Sequence, residues 1–237
     1  MNLRLIYKRL LGCHGPQGWW PIVNPRTLTS EYHMNAPRNG SDFFEIAVGA
    51  IMTQSVSWKN VDKAIAVLKK NKLLNPESIL HIRIKTLAGM IRPTGYYNQK
   101  AKKIKNFIAW FSRHGCSYDA LLRKDHAELR NELLAVNGIG PETADSILLY
   151  ALNCKIFVVD AYTKRIFTRL GFFTVNEDYH GMQNIFHAGF RGTAQEFNEF
   201  HALIVAHGKN YCIRDPNCID CCLSDLCSSK NSGPALS

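Results

Sequence analysis

Apolar residues recur at the period of a helix along nearly all of the chain, and no alternation of period two persists, so the pattern predicts an all-α fold. The clearest stretch covers residues 129–170. Leu129, Leu133 and Val136 lie at i, i+4, i+7, one face of a helix; Ala144, Ile147, Leu148 and Ala151 lie at i, i+3, i+4, i+7, a face of the next. Gly138 and Gly140 interrupt the pattern between them, and Pro141 suits the first position of the second helix. The run Ile156-Phe157-Val158-Val159 then ends at Asp160. A further helix follows, with Tyr162, Ile166, Phe167 and Leu170 on one face and Gly171 at its C-terminal end.

The same period predicts an amphipathic helix at the N-terminus and a buried helix over residues 43–52. It also predicts a helix with Trp58, Val61, Ile65 and Leu68 inward, and a long one with Ala101, Ile104, Ile108 and Phe111 inward. Lys100, Lys102, Lys103 and Lys105 fall on the other faces of that long helix and are expected to form a solvated basic surface, with phosphate contact by some of them as the alternative. Residues 12–42, rich in Gly, Pro, Asn and Trp, read as loop, and residues 228–234 as a frayed tail.

Charge narrows the partner. Lys and Arg number 29 against 19 Asp and Glu, a formal net charge of +10. Such an excess favours a polyanion, with a merely soluble basic surface as the alternative. No apolar run approaches the length of a membrane-spanning helix, and the charged N-terminal ten residues do not suit a secretory signal. The expected setting is reducing and cytoplasmic, in association with the nucleoid. Clustered cysteines there point to metal rather than to disulfides.

Three groups carry candidate chemistry. The first is Asn137-Gly138-Ile139-Gly140-Pro141-Glu142-Thr143-Ala144, whose glycines let a backbone approach a phosphate and whose following helix start offers N–H groups. An ordinary helical hairpin is the competing reading. The second is Asp160, eighteen residues after Glu142; it sits where an N-cap is expected, so it is either only a cap or a carboxylate held at a fixed distance from a nucleic-acid backbone. The third is Cys212, Cys218, Cys221 and Cys227, spaced C-x5-C-x2-C-x5-C, which suits one compact four-thiolate site for zinc or for an iron–sulfur cluster. Cys222 is taken as a spare thiol, and Cys13, Cys116 and Cys154 as buried apolar residues. In addition, Trp19, Trp20 and Pro21 either plug the core or wall a pocket for a flat ring.

The hairpin, Val158-Val159-Asp160, Met52-Thr53-Gln54-Ser55, Gly95-Tyr96-Tyr97-Asn98-Gln99-Lys100-Ala101 and the C-terminal cysteines together resemble the helix-hairpin-helix DNA glycosylases of the endonuclease III type, over nearly the whole chain. The resemblance implies two helical domains: a six-helix domain over residues 35–154, and a second built from residues 1–34 and 155–237 that carries a 4Fe-4S cluster, with zinc as the alternative. It implies that Gln54 enters the DNA stack to fill the gap left by an extruded base, and that Gly138, Ile139, Gly140 and Thr143 meet the DNA backbone. Trp58 is either a core residue or, as in alkylbase-excising relatives, the ring that stacks on the target base. The first gap of the cysteine motif is one residue shorter than is usual in the family.

Bifunctional members carry a lysine two residues after the second hairpin glycine, and this chain has Glu142 there. A carboxylate cannot form a Schiff base, so the expectation is a monofunctional, monomeric enzyme that acts on double-stranded DNA with a damaged base, using Asp160 and water. The Trp residues, Glu142 and Gly95-Tyr96-Tyr97-Asn98-Gln99-Lys100-Ala101 look like the 3-methyladenine-excising branch. A uracil or thymine-mismatch enzyme, an oxidised-pyrimidine enzyme and a non-catalytic DNA-binding module are the alternatives.

Overall fold

The structure, a computed structural model, describes residues 2–34, 37–174 and 176–231. In chain order the elements are α1 (Leu3–His14), a short antiparallel hairpin of β1 (Ile22–Val23) and β2 (Ser30–Glu31), α2 (Gly40–Met52), α3 (Trp58–Lys70), α4 (Pro76–His81), α5 (Ile84–Met90), α6 (Tyr97–Arg113), α7 (Tyr118–Leu122) and α8 (His126–Leu134). Then come α9 (Pro141–Ser146), continued by a π turn (Ile147–Ala151), α10 (Ala161–Arg169), α11 (Tyr179–Gly189) and α12 (Ala194–Asn210). The all-α expectation holds. No helix among the described residues is long and apolar enough to cross a membrane.

The chain forms two compact units. One is continuous, Trp19–Cys154; the other is split, joining the chain up to Gly18 with the chain from Lys155 onward. In the continuous unit α2 is the central helix: every residue from Asp42 to Met52 is buried, the charged Asp42 and Glu45 included. Helices α3 and α6 present amphipathic faces, burying Val61, Ile65 and Leu68 and Ala101, Ile104, Ile108 and Phe111. Residues 19–34 were expected with the split domain but pack here. Trp20 lies against Gly49, where a Cβ would sit 3.3 Å from the indole nitrogen, and the Val23 amide donates to Glu45 Oε1 at 2.7 Å.

The lysines of α6 depart from the expected solvated face. Lys100 is buried and its amine donates to the carbonyls of Met52 (2.8 Å) and Thr94 (2.6 Å); Lys105 donates to the carbonyls of Ile79 (2.6 Å) and Leu80 (2.8 Å) near the end of α4. Helix ends leave carbonyls without intrahelical partners, and a long amine finds them. Of the four, Lys102 stays exposed.

In the split unit, α1 buries Leu3, Ile6 and Leu10. The core is aromatic: Phe157 stacks on Phe186 with ring centroids 3.7 Å apart, and Phe167, Phe190, Phe197 and Phe200 close around them. The segment before Asp160 feeds this core, with Phe157, Val158 and Val159 buried. Residues 228–231 form a 3-10 turn; the rest of the predicted tail lies outside the described residues.

Candidate active site and metal centre

The hairpin turn joins α8 to α9. Gly138 has φ +95°, a conformation side chains disfavour, and a Cβ there would lie 2.4 Å from Lys103 Cγ. Arg130 of α8 and the fully buried Asp145 of α9 form a bidentate pair across the turn, Nε to Oδ1 at 2.6 Å and Nη2 to Oδ2 at 3.1 Å. Asn106 Nδ2 donates to the Asn137 carbonyl at 3.0 Å. The Ile139 amide donates to the Val136 carbonyl at 3.0 Å, and the Ile139 side chain is buried. Of the three hairpin amides nominated from sequence, Ile139 is therefore committed inside the turn. No side chain caps the start of α9, and Glu142 is exposed in its first turn.

Gln54 joins the hairpin from the α2–α3 loop. Its Nε2 donates to Thr143 Oγ1 (2.9 Å) and to the Gly138 carbonyl (3.3 Å), while its Oε1 accepts from the Lys103 amine. Gln54, Lys103, Gly138 and Thr143 thus form one polar cluster. Lys103, read from the sequence only as one of four lysines on the outer faces of α6, is brought into this cluster by tertiary packing.

The tryptophans gather in the same unit. Trp20 meets Trp58 edge-on with ring centroids 5.2 Å apart and Tyr150 at 5.1 Å; Trp19 lies 6.0 Å from Trp20 and 6.2 Å from Tyr150. Pro21 and Trp20 are buried, whereas Trp19 and Trp58 are half-buried. The indole nitrogens of Trp20 and Trp58 are buried without a hydrogen-bond partner. Such donors are normally satisfied, so this is an aromatic site with unused polar edges. Tyr150 was hidden from sequence reading inside the apolar run of the π turn.

Asp160 belongs to the split unit. It caps α10, its Oδ1 accepting from the Thr163 amide at 2.7 Å, and Oδ2 lies 3.7 Å from His201 Nε2 of α12. The carboxylate is 14% exposed and His201 6%. Burial alone would raise its pKa, but the His201 ring and the Thr163 amide together hold the carboxyl below its ordinary value. A carboxylate kept ionised while mostly buried is more than a cap requires. His201 was missed from sequence because it lies 41 residues downstream, where only tertiary packing brings it close.

The cysteine loop follows α12. Arg165 of α10 donates to the carbonyls of Cys212 (Nε, 2.8 Å) and Gly208 (Nη2, 2.8 Å). Arg169 donates to the carbonyls of Ile213 (2.6 Å) and Arg214 (2.9 Å) and reaches Cys212 Sγ at 3.3 Å. Burial first, and then the nearness of Cys212, Cys218 and Cys227, pushes the Cys221 thiol up; burial, and then Cys212 and Cys218, raise Cys227. Four cysteines gathered in one loop are a donor set that suits a metal centre. Among the described residues no three of these sulfurs come within 4.8 Å of one another. Cys222 turns instead toward Cys13, which is exposed rather than buried as expected; Cys154 is buried and Cys116 half-buried.

The residues thus divide. Gln54, the hairpin, Glu142 and the aromatic site belong to the continuous unit, Asp160 and the cysteines to the split one. A family model for HhH-GPD superfamily base excision DNA repair proteins matches residues 48–191. The chain belongs to that superfamily. It is 41% identical over 227 residues to a putative DNA repair glycosylase of Methanocaldococcus jannaschii, covering 95% of both chains. It is 30% identical to endonuclease III of Sulfolobus acidocaldarius, covering 86% of this chain and 89% of the relative. Among solved structures it is similar to the 3-methyladenine DNA glycosylase of H. pylori bound to 1,N6-ethenoadenine, with 28% identity, a TM-score of 0.71, and coverage of 88% of this chain and 98% of that one. The activity class of this superfamily member is DNA glycosylase.

Proposed function

We propose that this glycosylase is monofunctional and removes an alkylated purine, such as 3-methyladenine, from double-stranded DNA by hydrolysis. The observation that carries the reading is Glu142, an exposed carboxylate in the first turn after the hairpin where a lyase would present an amine. The similarity to the H. pylori 3-methyladenine enzyme supports the same substrate class.

Expelling a base leaves positive charge on the sugar. Asp160, held ionised, stabilises that charge and orients the attacking water. Reaching the bond requires the nucleotide to leave the stack. The base enters among Trp19, Trp20, Pro21 and Trp58, whose electron-rich faces suit a cationic purine. The free indole N–H groups of Trp20 and Trp58 are donors for its ring acceptors. The amides of Gly138 and Gly140 grip the backbone beside Thr143, and Gln54 leaves its hairpin partners to fill the stack. Cys212, Cys218, Cys221 and Cys227 would hold a 4Fe-4S cluster, which would order the loop that carries Arg214.

A second reading, an endonuclease III-like lyase step, is favoured by one observation: burial lowers the Lys209 amine pKa although Asp160 opposes the shift. An amine with a depressed pKa is a better nucleophile. The test uses duplexes bearing methylated, deaminated or oxidised bases, followed by alkali. Abasic sites from methylated DNA, without strand breaks before alkali and without a borohydride-trapped complex, are the expected result. Asp160→Asn should lower excision at least ~10²-fold with duplex affinity retained. A trapped complex that Lys209→Met abolishes would replace this reading with the second one. Release from the other substrates alone would reassign the specificity. Tight binding with no release from any duplex would leave a DNA-binding module.

A further inference from the structure

We propose that Cys13, His14 and Cys222 form a second metal site, for a zinc ion, distinct from the four-cysteine centre. Among the described residues these three are the group whose ligand atoms all lie within 4.8 Å of one another. Zinc–sulfur and zinc–nitrogen bonds of about 2.3 and 2.0 Å place tetrahedral ligand atoms some 3.5–3.8 Å apart, so small side-chain shifts close the site. Two thiolates and an imidazole are a donor set zinc favours, and three protein ligands leave one position for water. Binding displaces the two thiol protons to solvent.

The surroundings hold these ligands in place. Arg9 lies one turn before Cys13 on the same face of α1. It pairs with Asp225, and its Nη1 reaches the Cys222 carbonyl at 3.4 Å, so the loop is presented to Cys13 before any metal arrives. His14 Nε2 lies 3.2 Å from His207 Nδ1, and His207 Nε2 lies 3.4 Å from Cys221 Sγ. In the tautomer with the proton on His14 Nε2, His207 Nδ1 accepts it, and His14 Nδ1 keeps a lone pair for zinc. An imidazole whose other nitrogen donates to a fixed acceptor is the usual arrangement of a metal-bound histidine. The site would clamp the C-terminal end of α1 to the cysteine loop.

The probe is zinc chloride added to the cluster-containing protein, with zinc and iron counted after desalting. About one zinc per chain should be retained with iron unchanged. Cys13→Ser, at an exposed position, should lower zinc retention at least ~10-fold without changing iron content or melting temperature. Cys222→Ser should do the same, and Cys116→Ser should behave as wild type. Wild-type protein that keeps its iron but no zinc overturns the proposal. So does zinc that enters only as iron leaves, zinc retained in full by Cys13→Ser, or loss of iron in Cys222→Ser.

Discussion

The hairpin and the cysteine loop lie on opposite sides of one question: what holds a segment of irregular backbone in place. The hairpin is anchored from within its unit. Leu129, Leu133, Ile139 and Ala144 are buried around it, and the Arg130–Asp145 pair spans it. The loop has almost no core of its own. Leu223 is its buried apolar residue, while Ile213 is 41% and Ile219 93% exposed. Its order comes from arginines on α1 and α10 that donate to its backbone, and from whatever its thiols bind. A turn that packs can keep its shape without ligands; a turn that does not pack needs them.

Three changes test that contrast. The largest effect is expected from Arg130→Met, which removes the bidentate partner of the buried Asp145 carboxylate. It should cost about 3–5 kcal/mol, read as a large fall in melting temperature. Arg169→Met should act locally. It removes donors to Ile213 and Arg214, worth about 1–2 kcal/mol of loop order, so trypsin should cut at Arg214 roughly ten times faster while the melting temperature hardly moves. A global loss of stability in Arg169→Met would show that the loop belongs to the packed core after all. The smallest effect concerns Lys100 of α6, whose amine bonds to the carbonyls of Met52 and Thr94. Burial, and then Lys103, lowers its pKa from 10.5 to about 8. Between about pH 8 and 10.5 the unfolded chain binds a proton that the folded amine has released, so stability rises with pH across that window. Wild type should gain about 1 kcal/mol relative to Lys100→Met from pH 8 to 10, measured by denaturant titration. A flat difference would mean the amine titrates as in water.

The same contrast explains what could be read from the sequence. Helical period reports which residues face inward, so the inward faces of α3, α6 and α8 and the glycines of the hairpin were legible. Period says nothing about which carbonyl a lysine meets, and the supposed solvated face of α6 proved to contain Lys100 and Lys105 tied to helix ends. Asp160 announced itself as a cap, but its partner His201 did not, because that pairing depends on how α12 packs on α10. The β1–β2 hairpin was missed since two-residue strands carry no period. Cys13 looked like an isolated apolar residue, because nothing in local sequence links α1 to a loop 209 positions away.

One arrangement in the split unit has a mechanical outcome. α10 starts at Asp160 and ends at Arg169, which grips the cysteine loop; α12 carries His201 beside the carboxylate and His207 beside Cys221. Two rods, the shorter roughly 13 Å long, therefore brace Asp160 and the cysteine loop at a set separation. Damage at the thiol end would be felt as misalignment of Asp160, so with the role proposed for that carboxylate, oxidative stress on the loop would blunt base removal before the fold itself gives way.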